Sequence, residues 1–282
     1  MQYLRVWYTR FMIIAVDIGG TKTLVTALDN DMSILQSAKF VTPKNYAEFA
    51  HELNKAAKKL PLKDIQAGVI GARGVIDRNQ GTLHLDTILG WHDVPLVRDC
   101  SNIFGCKFSI ENDSKLAGLS EARAVNDPTV RSIVYITIST GIGSTFVVDG
   151  QLEQATLNSE IGKWLVEKDG SWHIWEDIAS GKWIKATYGK LASEIDDEAV
   201  WHEIVDRLTP GFINSMAAYS PDLIIVGGGV GEYFDKFGAL LSREVVARAH
   251  PMIKQCPIQR AMHPELAVTY GCYYYALDQL AA

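Results

Sequence analysis

MIIAVDIGGTKT, Met12 to Thr23, is the stretch on which the reading of this chain turns. Met12 to Val16 has the length and β-branched content of a buried strand, and it delivers Asp17 onto the pair Gly19-Gly20. Glycine admits backbone conformations closed to residues with a Cβ, so the N–H groups of the turn, with the Thr21 and Thr23 hydroxyls, can converge on an anion such as phosphate. A bare phosphate would repel Asp17, so the carboxylate implies Mg²⁺ or its waters between the two. Leu24 to Leu28 reads as a second strand, which leaves an ordinary hairpin turn as the alternative for this stretch taken alone.

Outward from that hairpin the plan repeats. Arg131 to Ile138 is another apolar strand, Ser139 to Ser144 a turn of glycines and hydroxyls, and Thr145 to Val148 a returning strand that ends at Asp149-Gly150, as the first ends at Asp29-Asn30. Two related glycine hairpins in one chain are far less expected by accident than one. After the first, Ser33 to Val41 reads as a third strand, and Phe49, Leu53, Ala56, Ala57 and Leu60 give Tyr46 to Leu60 helical spacing. Ile65 to Ile70 is the next strand. It runs into Gly71 to Asp77, a glycine-punctuated loop suited to close approach by a ligand, or a plain turn. Thr87 to Leu96, with Trp91 and Pro95, reads as irregular.

Lys107 to Ile110 is a short strand that hands over to Glu111-Asn112-Asp113, and Ser114 to Val125 has the composition of a helix. Asn112 and Asp113 thus fall at a strand-to-helix junction, where open α/β sheets place ligand-binding groups; Asn and Asp are also common N-caps. Later, Ile204, Leu208, Phe212 and Ser215 mark a long helix, and Pro221 to Val226 feeds a strand into Gly227-Gly228-Gly229 before a helix from Phe234 to Ala249. Backbone without side chains there would let a flat adenine or a ribose lie against it. In the closing helix, Ala267 to Leu280, Gly271 and Cys272 permit close packing.

Composition bounds the function. A chain of 282 residues holds one large domain or two of ordinary size, and two lobes are expected. Hydrophobic content of 48% with 21% charged residues is that of a soluble globular protein, and the net charge of -6 offers no basic footprint for nucleic acid or an anionic membrane. Cys100, Cys106, Cys256 and Cys272 have no metal-ligand spacing and read as reduced thiols. The opening segment carries Arg5 and Arg10, but its apolar run meets Asp17 too soon for a signal peptide, and no run of about 18 apolar residues exists to span a membrane. The expected location is the cytoplasm. Met12 would serve as a start, leaving Met1 to Phe11 as an extension without an assigned role.

In their order, these motifs resemble the sugar kinase, heat-shock ATPase and actin superfamily, and within it the ROK family of bacterial sugar kinases and sugar-responsive repressors. DIGGTKT, Asp17 to Thr23, is similar to that family's first phosphate loop, ISTGIGS, Ile138 to Ser144, to its second, and IIVGGGV, Ile224 to Val230, to its adenosine loop. GARGVID, Gly71 to Asp77, and Asn112-Asp113 resemble its sugar-side segments, and the closing helix its second interlobe connection. The match runs from Met12 to the C-terminus. The resemblance implies an α/β, two-lobed, actin-like ATPase (ribonuclease H-like) fold with a duplicated strand-strand-strand-helix core and an interlobe cleft. One lobe would be 1–113, joined by the helix 271–282, and the other 114–270.

The resemblance further implies ATP-dependent phosphorylation of a hexose or hexose derivative, as in a glucokinase. Asp113 would be the general base and would bind the sugar together with Gly74, Asn112, Glu160 and Glu176. Gly19, Gly20, Thr21, Lys22, Thr140, Gly141 and Gly143 would hold phosphates, Gly227, Gly228 and Gly229 the adenosine, and Asp17 the Mg²⁺, directly or through water. Partners would be the sugar and the nucleotide, with a homodimer as the family expectation and neither nucleic acid nor membrane. Polyphosphate stays open as a donor. The alternatives are a non-catalytic sugar or nucleotide binder, and a sugar-sensing regulator without its DNA-binding domain, since the segment before Asp17 is too short for a helix-turn-helix.

Departures from the family pattern fall on the sugar side. Glu160 lies in NSEIGK, where the family's GEIGH has histidine in place of Lys163, and WLVEKDGSWHIW, Trp164 to Trp175, replaces a cysteine-rich zinc motif. No zinc is expected, because the loop lacks thiolates and Lys163 presents a cation. Trp164, Leu165, Trp172, Ile174 and Trp175 are expected to pack the loop instead. Lys163 would donate to a sugar hydroxyl, pair with Glu160, or face solvent. Thr87 stands where many relatives have a sugar-contacting asparagine, and His173 receives no role.

Overall fold

The computed structural model describes residues 11–263 and 265–281, so the expected N-terminal extension lies, up to Arg10, outside the described residues. The chain divides into two compact units, one that ends at Leu116 and resumes at Val268, and one spanning Ala117–Ala267. Among the described residues no helix is long and apolar enough to cross a membrane.

In the first unit, β1 (Met12–Ile18), β2 (Lys22–Asp29) and β3 (Ile34–Val41) form an antiparallel meander, followed by α1 (Tyr46–Ala57). β4 (Ile65–Ala72) then pairs parallel to β1. Alternation along β1 explains its unbroken apolar run, because both faces are covered. Met12, Ile14, Val16 and Ile18 join the cluster of Phe49 and Leu53 from α1, whereas Ile13 and Ala15 join that of Leu116, Cys272 and Ala276.

Three short strands that sequence reading does not resolve come next: β5 (Val75–Asp77), β6 (Thr82–Asp86) and β7 (Trp91–Val94) form their own antiparallel sheet. The segment Thr87 to Leu96 is therefore a turn, a strand and the start of α2 (Leu96–Phe104), not an irregular stretch. β7 buries its two end residues, Trp91 and Val94, around exposed His92 and Asp93, which is too short a pattern to read as alternation. Trp91 is fixed by its Nε1, which donates to the Lys44 carbonyl at 2.7 Å. Gly71 to Asp77 is likewise the end of β4 plus β5, joined at Gly74, whose φ of 109° and approach to the Leu85 carbonyl, 2.2 Å from where a Cβ would sit, both require glycine. The main sheet closes with β8 (Phe108–Asn112), in the order β3-β2-β1-β4-β8, and the chain enters α3 (Asp113–Ala124).

The second unit repeats the antiparallel opening with β9 (Ser132–Ile138), β10 (Ile142–Val148) and β11 (Gln151–Leu152). A two-stranded ribbon, β12 (Leu165–Lys168) and β13 (Ser171–Ile174), leads into α4 (Trp175–Ala179), α5 (Gly181–Tyr188) and the long α6 (Glu198–Tyr219). β14 (Leu223–Gly227), α7 (Gly228–Gly231), α8 (Phe234–Arg248) and β15 (Ile258–Arg260) complete a sheet ordered β11-β10-β9-β14-β15. Val134, Ile136 and Ile138 of β9 pack with Leu208 and Phe212 of α6 and Leu241 and Val245 of α8.

The loop after Glu160 is held by fewer anchors than the sequence suggests. Trp175 and Val166 are buried and Trp164 stacks with Tyr219, but Leu165 is 62% and Trp172 71% exposed, and Ile174 is exposed as well. Ribbon register is the reason: Leu165 pairs with Ile174 and Glu167 with Trp172 on the outer face, while Val166 and His173 share the inner one. Trp175 lies where Gly211 leaves room, 2.1 Å from the position of a Cβ, and donates through Nε1 to the Arg207 carbonyl at 3.1 Å, close to the helical Pro210.

The last helix, α9 (Ala267–Ala281), returns to the first unit. A Cβ on Gly271 would sit 2.0 Å from the Leu116 carbonyl, and one on Gly71 2.6 Å from Val268, so the close packing expected of this helix depends on both glycines.

Candidate active site

The first glycine turn is built from behind. Gly19 N–H donates to the Lys22 carbonyl at 3.0 Å, and Thr42, at the end of β3, donates through its hydroxyl to the Gly19 carbonyl at 2.8 Å and through its amide to Thr21 at 3.1 Å. Thr23 is buried, its hydroxyl 2.9 Å from that of Thr42. It fastens the turn and does not converge with Thr21, a correction that follows from alternation: Thr21 and Lys22 are exposed at the turn, and Thr23 is the first residue of β2 to point inward. A Cβ on Gly20 would lie 2.9 Å from Ile88, so the turn between β6 and β7 sits against this loop. Asp86 shapes that turn, accepting from Ile88 N at 2.6 Å and Leu89 N at 2.9 Å, with Arg73 at 3.5 Å.

Parallel register sets the acids side by side. Asp17 pairs with Gly71, and Ala72 pairs with both Ile18 and Asn112, so β1, β4 and β8 bring Asp17, the Gly74 bend and the Asn112-Asp113 junction to their carboxyl ends. Asp17 shares the face of Ile13 and Ala15, towards Cys272. Burial pushes its carboxyl up to about 7, with the charge of Asp113 adding to the shift and Lys22 opposing it. Two neighbouring carboxyl groups, one of them costly to ionise, match the hard-oxygen donors that Mg²⁺ takes. Among the described residues no group of three or more His, Cys, Asp or Glu could hold a metal.

At the junction, Asn112 Oδ1 accepts from Ser114 N at 3.0 Å and Ser114 Oγ at 2.6 Å, while Asp113 Oδ1 accepts from Ser114 N at 2.7 Å. Asn112 therefore caps the start of α3 with its oxygen, which leaves its NH₂ as the group turned to other partners. Below it lies a pair that sequence reading misses. Glu111 is fully buried and is gripped by Arg78, Nε to Oε2 at 2.7 Å and NH2 to Oε1 at 2.5 Å, and Oε1 also accepts the Asn112 amide at 2.7 Å. A carboxylate inside an apolar strand, directly before Asn112-Asp113, is the signal that could have found it.

In the second unit, the turn after β9 is closed by Ser139 N–H on the Gly141 carbonyl at 2.8 Å, and Gly181 N–H donates to Ser139 at 2.7 Å. Thr140 is exposed at its tip. β10 begins at Ile142, so Gly143 lies within the strand opposite Thr137 rather than in the turn expected from sequence. Glu160 is exposed and precedes a single 3₁₀ turn, Ile161–Lys163. Glu176 reaches this glycine turn itself, Oε2 accepting from Ile142 N at 3.2 Å and lying 2.8 Å from where a Gly141 Cβ would be. Its other oxygen pairs with Lys163 Nζ, so the lysine's partner is Glu176 and not Glu160.

The third glycine run divides its work. A Cβ on Gly227 would strike the Tyr135 hydroxyl at 2.3 Å, and one on Gly228, at φ 80°, would strike Thr137 Oγ1 at 2.5 Å, whereas nothing stands within 4 Å of Gly229, which is exposed. Two of these glycines are demanded by packing, and one leaves open backbone at the end of β14.

The model of the ROK family matches residues 13–278. The glucokinase of Streptomyces coelicolor is 27% identical over 180 residues, 61% of this chain and 57% of that protein. The N-acetylmannosamine kinase of Vibrio cholerae is 26% identical over 247 residues, 77% of this chain and 84% of that protein. A ROK family glucokinase from Streptomyces griseus, solved with glucose and AMPPNP, is similar in structure with a TM-score of 0.78 at 23% identity, covering 95% of this chain and 99% of that one.

Proposed function

Because this chain belongs to the ROK family, we propose that it is a sugar kinase which transfers the γ-phosphoryl group of ATP to a hydroxyl of a hexose or hexose derivative. The observation that carries the reading is the strand-end placement of Asp17 beside Asn112-Asp113, close enough for the charge of Asp113 to raise the Asp17 carboxyl. Phosphoryl transfer asks a protein mainly for positioning and charge neutralisation, which such a constellation supplies.

In this reading Asp113, partly exposed at the start of α3, accepts the proton of the attacking sugar hydroxyl. Asn112 donates from its NH₂ to a neighbouring hydroxyl, and Gly74, at the bend between β4 and β5, contacts the ring. Glu160 and Glu176 accept from further hydroxyls. The amide of Gly20, with exposed Thr21 and Lys22, takes phosphate oxygens, as do Thr140 and Gly141, while Gly19, its own amide committed to the Lys22 carbonyl, shapes the turn. Gly227, Gly228 and Gly229 form the backbone against which adenosine lies, Gly229 providing the open surface. Asp17 holds Mg²⁺, directly or through water, which neutralises phosphate charge. The setting is the cytoplasm, and the assembly a homodimer, which light scattering would test.

The experiment follows sugar phosphate formation, with ATP and separately polyphosphate as donor, against glucose, mannose, fructose and N-acetylated hexosamines. Turnover that depends on Mg²⁺ and on at least one sugar is expected. Sugar-independent hydrolysis alone, or no product with any of them, would refute the kinase reading and leave a binding protein.

A further inference from the structure

Lys163 and Glu176 are brought together by main chain. The 3₁₀ turn before Lys163 is pressed onto β10, since a Cβ on Gly162 would sit 2.1 Å from the Ile142 carbonyl, and this fixes where the lysine stem begins. Trp175 N–H then donates to the Trp164 carbonyl at 2.8 Å, which sets Glu176 beside Lys163 across one backbone hydrogen bond. The carboxylate is pinned at both oxygens, Oε1 by Lys163 Nζ and Oε2 by the Ile142 amide. A carboxylate offers about four acceptor positions, so two remain for hydroxyl groups.

We propose that Lys163 is a positioning residue, one that holds Glu176 in the orientation in which it receives the sugar, in a loop that has no cysteine. The proposal rests on the kinase reading given above. The Lys163 side chain is 57% exposed and that of Glu176 19%, so the pair contributes little to folding, as exposed ion pairs generally do. Its effect is geometric. An unpinned glutamate has three free torsions, and because Oε2 also accepts from Ile142 N, its drift frees that amide.

The test uses the full chain with Lys163→Met and Lys163→Arg. The methionine variant is expected to raise the sugar KM about tenfold or more, with kcat and the ATP KM within about threefold, and arginine to restore the sugar KM. In a Glu176→Gln background, Lys163→Met should add less than about twofold, because the lysine acts through the glutamate. Melting temperature should stay within about 2 °C. A second readout needs no turnover: amide hydrogen exchange at Ile142 should quicken in Lys163→Met and recover in Lys163→Arg. If wild-type protein phosphorylates no sugar, the kinase reading fails while the exchange measurement still decides on the pair. Unchanged exchange in Lys163→Met overturns the proposal, as does a KM effect of undiminished size in the Glu176→Gln background, or one that arginine fails to restore.

Discussion

Arg78→Met is expected to destabilise the protein by about 3–5 kcal/mol, because it strands a carboxylate that has no path to water. The Glu111 side chain is fully buried, whereas that of Arg78 is 24% exposed, so solvent can solvate the base but not the acid. The two meet in a fork, at 2.7 and 2.5 Å, and the pair holds the guanidinium above its ordinary pKa chiefly through that hydrogen bond, against the pull of burial. Without Arg78, the Asn112 amide at 2.7 Å is a neutral partner for a full charge. At about 2–4 °C per kcal/mol for a domain of this size, the melting temperature should fall by roughly 6–20 °C. Glu111→Gln removes the charge and keeps an acceptor for Asn112, so the double variant should recover at least about half of the loss. Urea midpoints followed by circular dichroism measure both. A loss below about 1 kcal/mol for Arg78→Met, or a double variant no more stable than the single, would refute the reasoning.

Asp113→Asn should lower turnover by about 10² to 10⁴ while the sugar KM moves within about threefold; turnover near that of wild type in an ADP-release assay removes Asp113 from the base role. Asp17 predicts two pH effects. A carboxyl whose folded pKa is raised to about 7 binds protons in the folded state that the unfolded state has lost, so it takes stability away as pH rises from about 4 to about 7. Metal-free Asp17→Asn should therefore melt above wild type at about pH 8, with the margin shrinking towards about pH 5, and a variant that melts no higher at pH 8 contradicts this. Mg²⁺ must also displace that proton, so the Mg²⁺ concentration for half-maximal activity should rise about tenfold per pH unit below about 7; a flat dependence speaks against Asp17 as the ligand. Trp175→Ala should cost about 3–5 kcal/mol, since this buried ring anchors the loop, and protein purified without chelator should contain no stoichiometric zinc and keep its melting temperature in EDTA. One zinc per chain, with stability lost on stripping and regained with zinc alone, would show the loop to be metal-held.

The parts of the fold that sequence reading recovers are those whose physics is local or covered on both sides. β1 is readable because both of its faces are buried, so nothing polar interrupts Met12 to Val16. α1 is readable because Phe49, Leu53, Ala56 and Ala57 keep one stripe, and Asn45 caps it by accepting from Glu48 N. β5, β6 and β7 are not. Their pairing contains a register shift between Val75 and Ile76, and strands of three to five residues offer too few alternations to separate from a loop. α2 hides for a different reason, since it follows Pro95, which makes no side-chain cap.

For the candidate site, residue type selects the candidate groups, but the partner of each group is chosen by pairing over longer range. Thr21 and Thr23 look equivalent in the sequence and part company once β2 alternates and Thr42 arrives from β3. Lys163 has acids nearby on both sides, at Glu160, Glu167, Asp169 and Glu176, and nothing local selects one. The selection comes from Asp169-Gly170, where φ is positive at both residues (55° and 77°), as a two-residue turn matched to strand twist requires. Such a turn fixes register: Lys168 meets Ser171, Glu167 meets Trp172, Val166 meets His173 and Leu165 meets Ile174. Continued two steps further, the same count sets Trp164 against Trp175 and Lys163 against Glu176, the contacts that the chain makes. The dipeptide Asp-Gly between two short apolar runs thus carries the information for an ion pair six residues away on either side, and reading Lys163 by its nearest acid, Glu160, fails because the constraint that places it is a turn and not a neighbour.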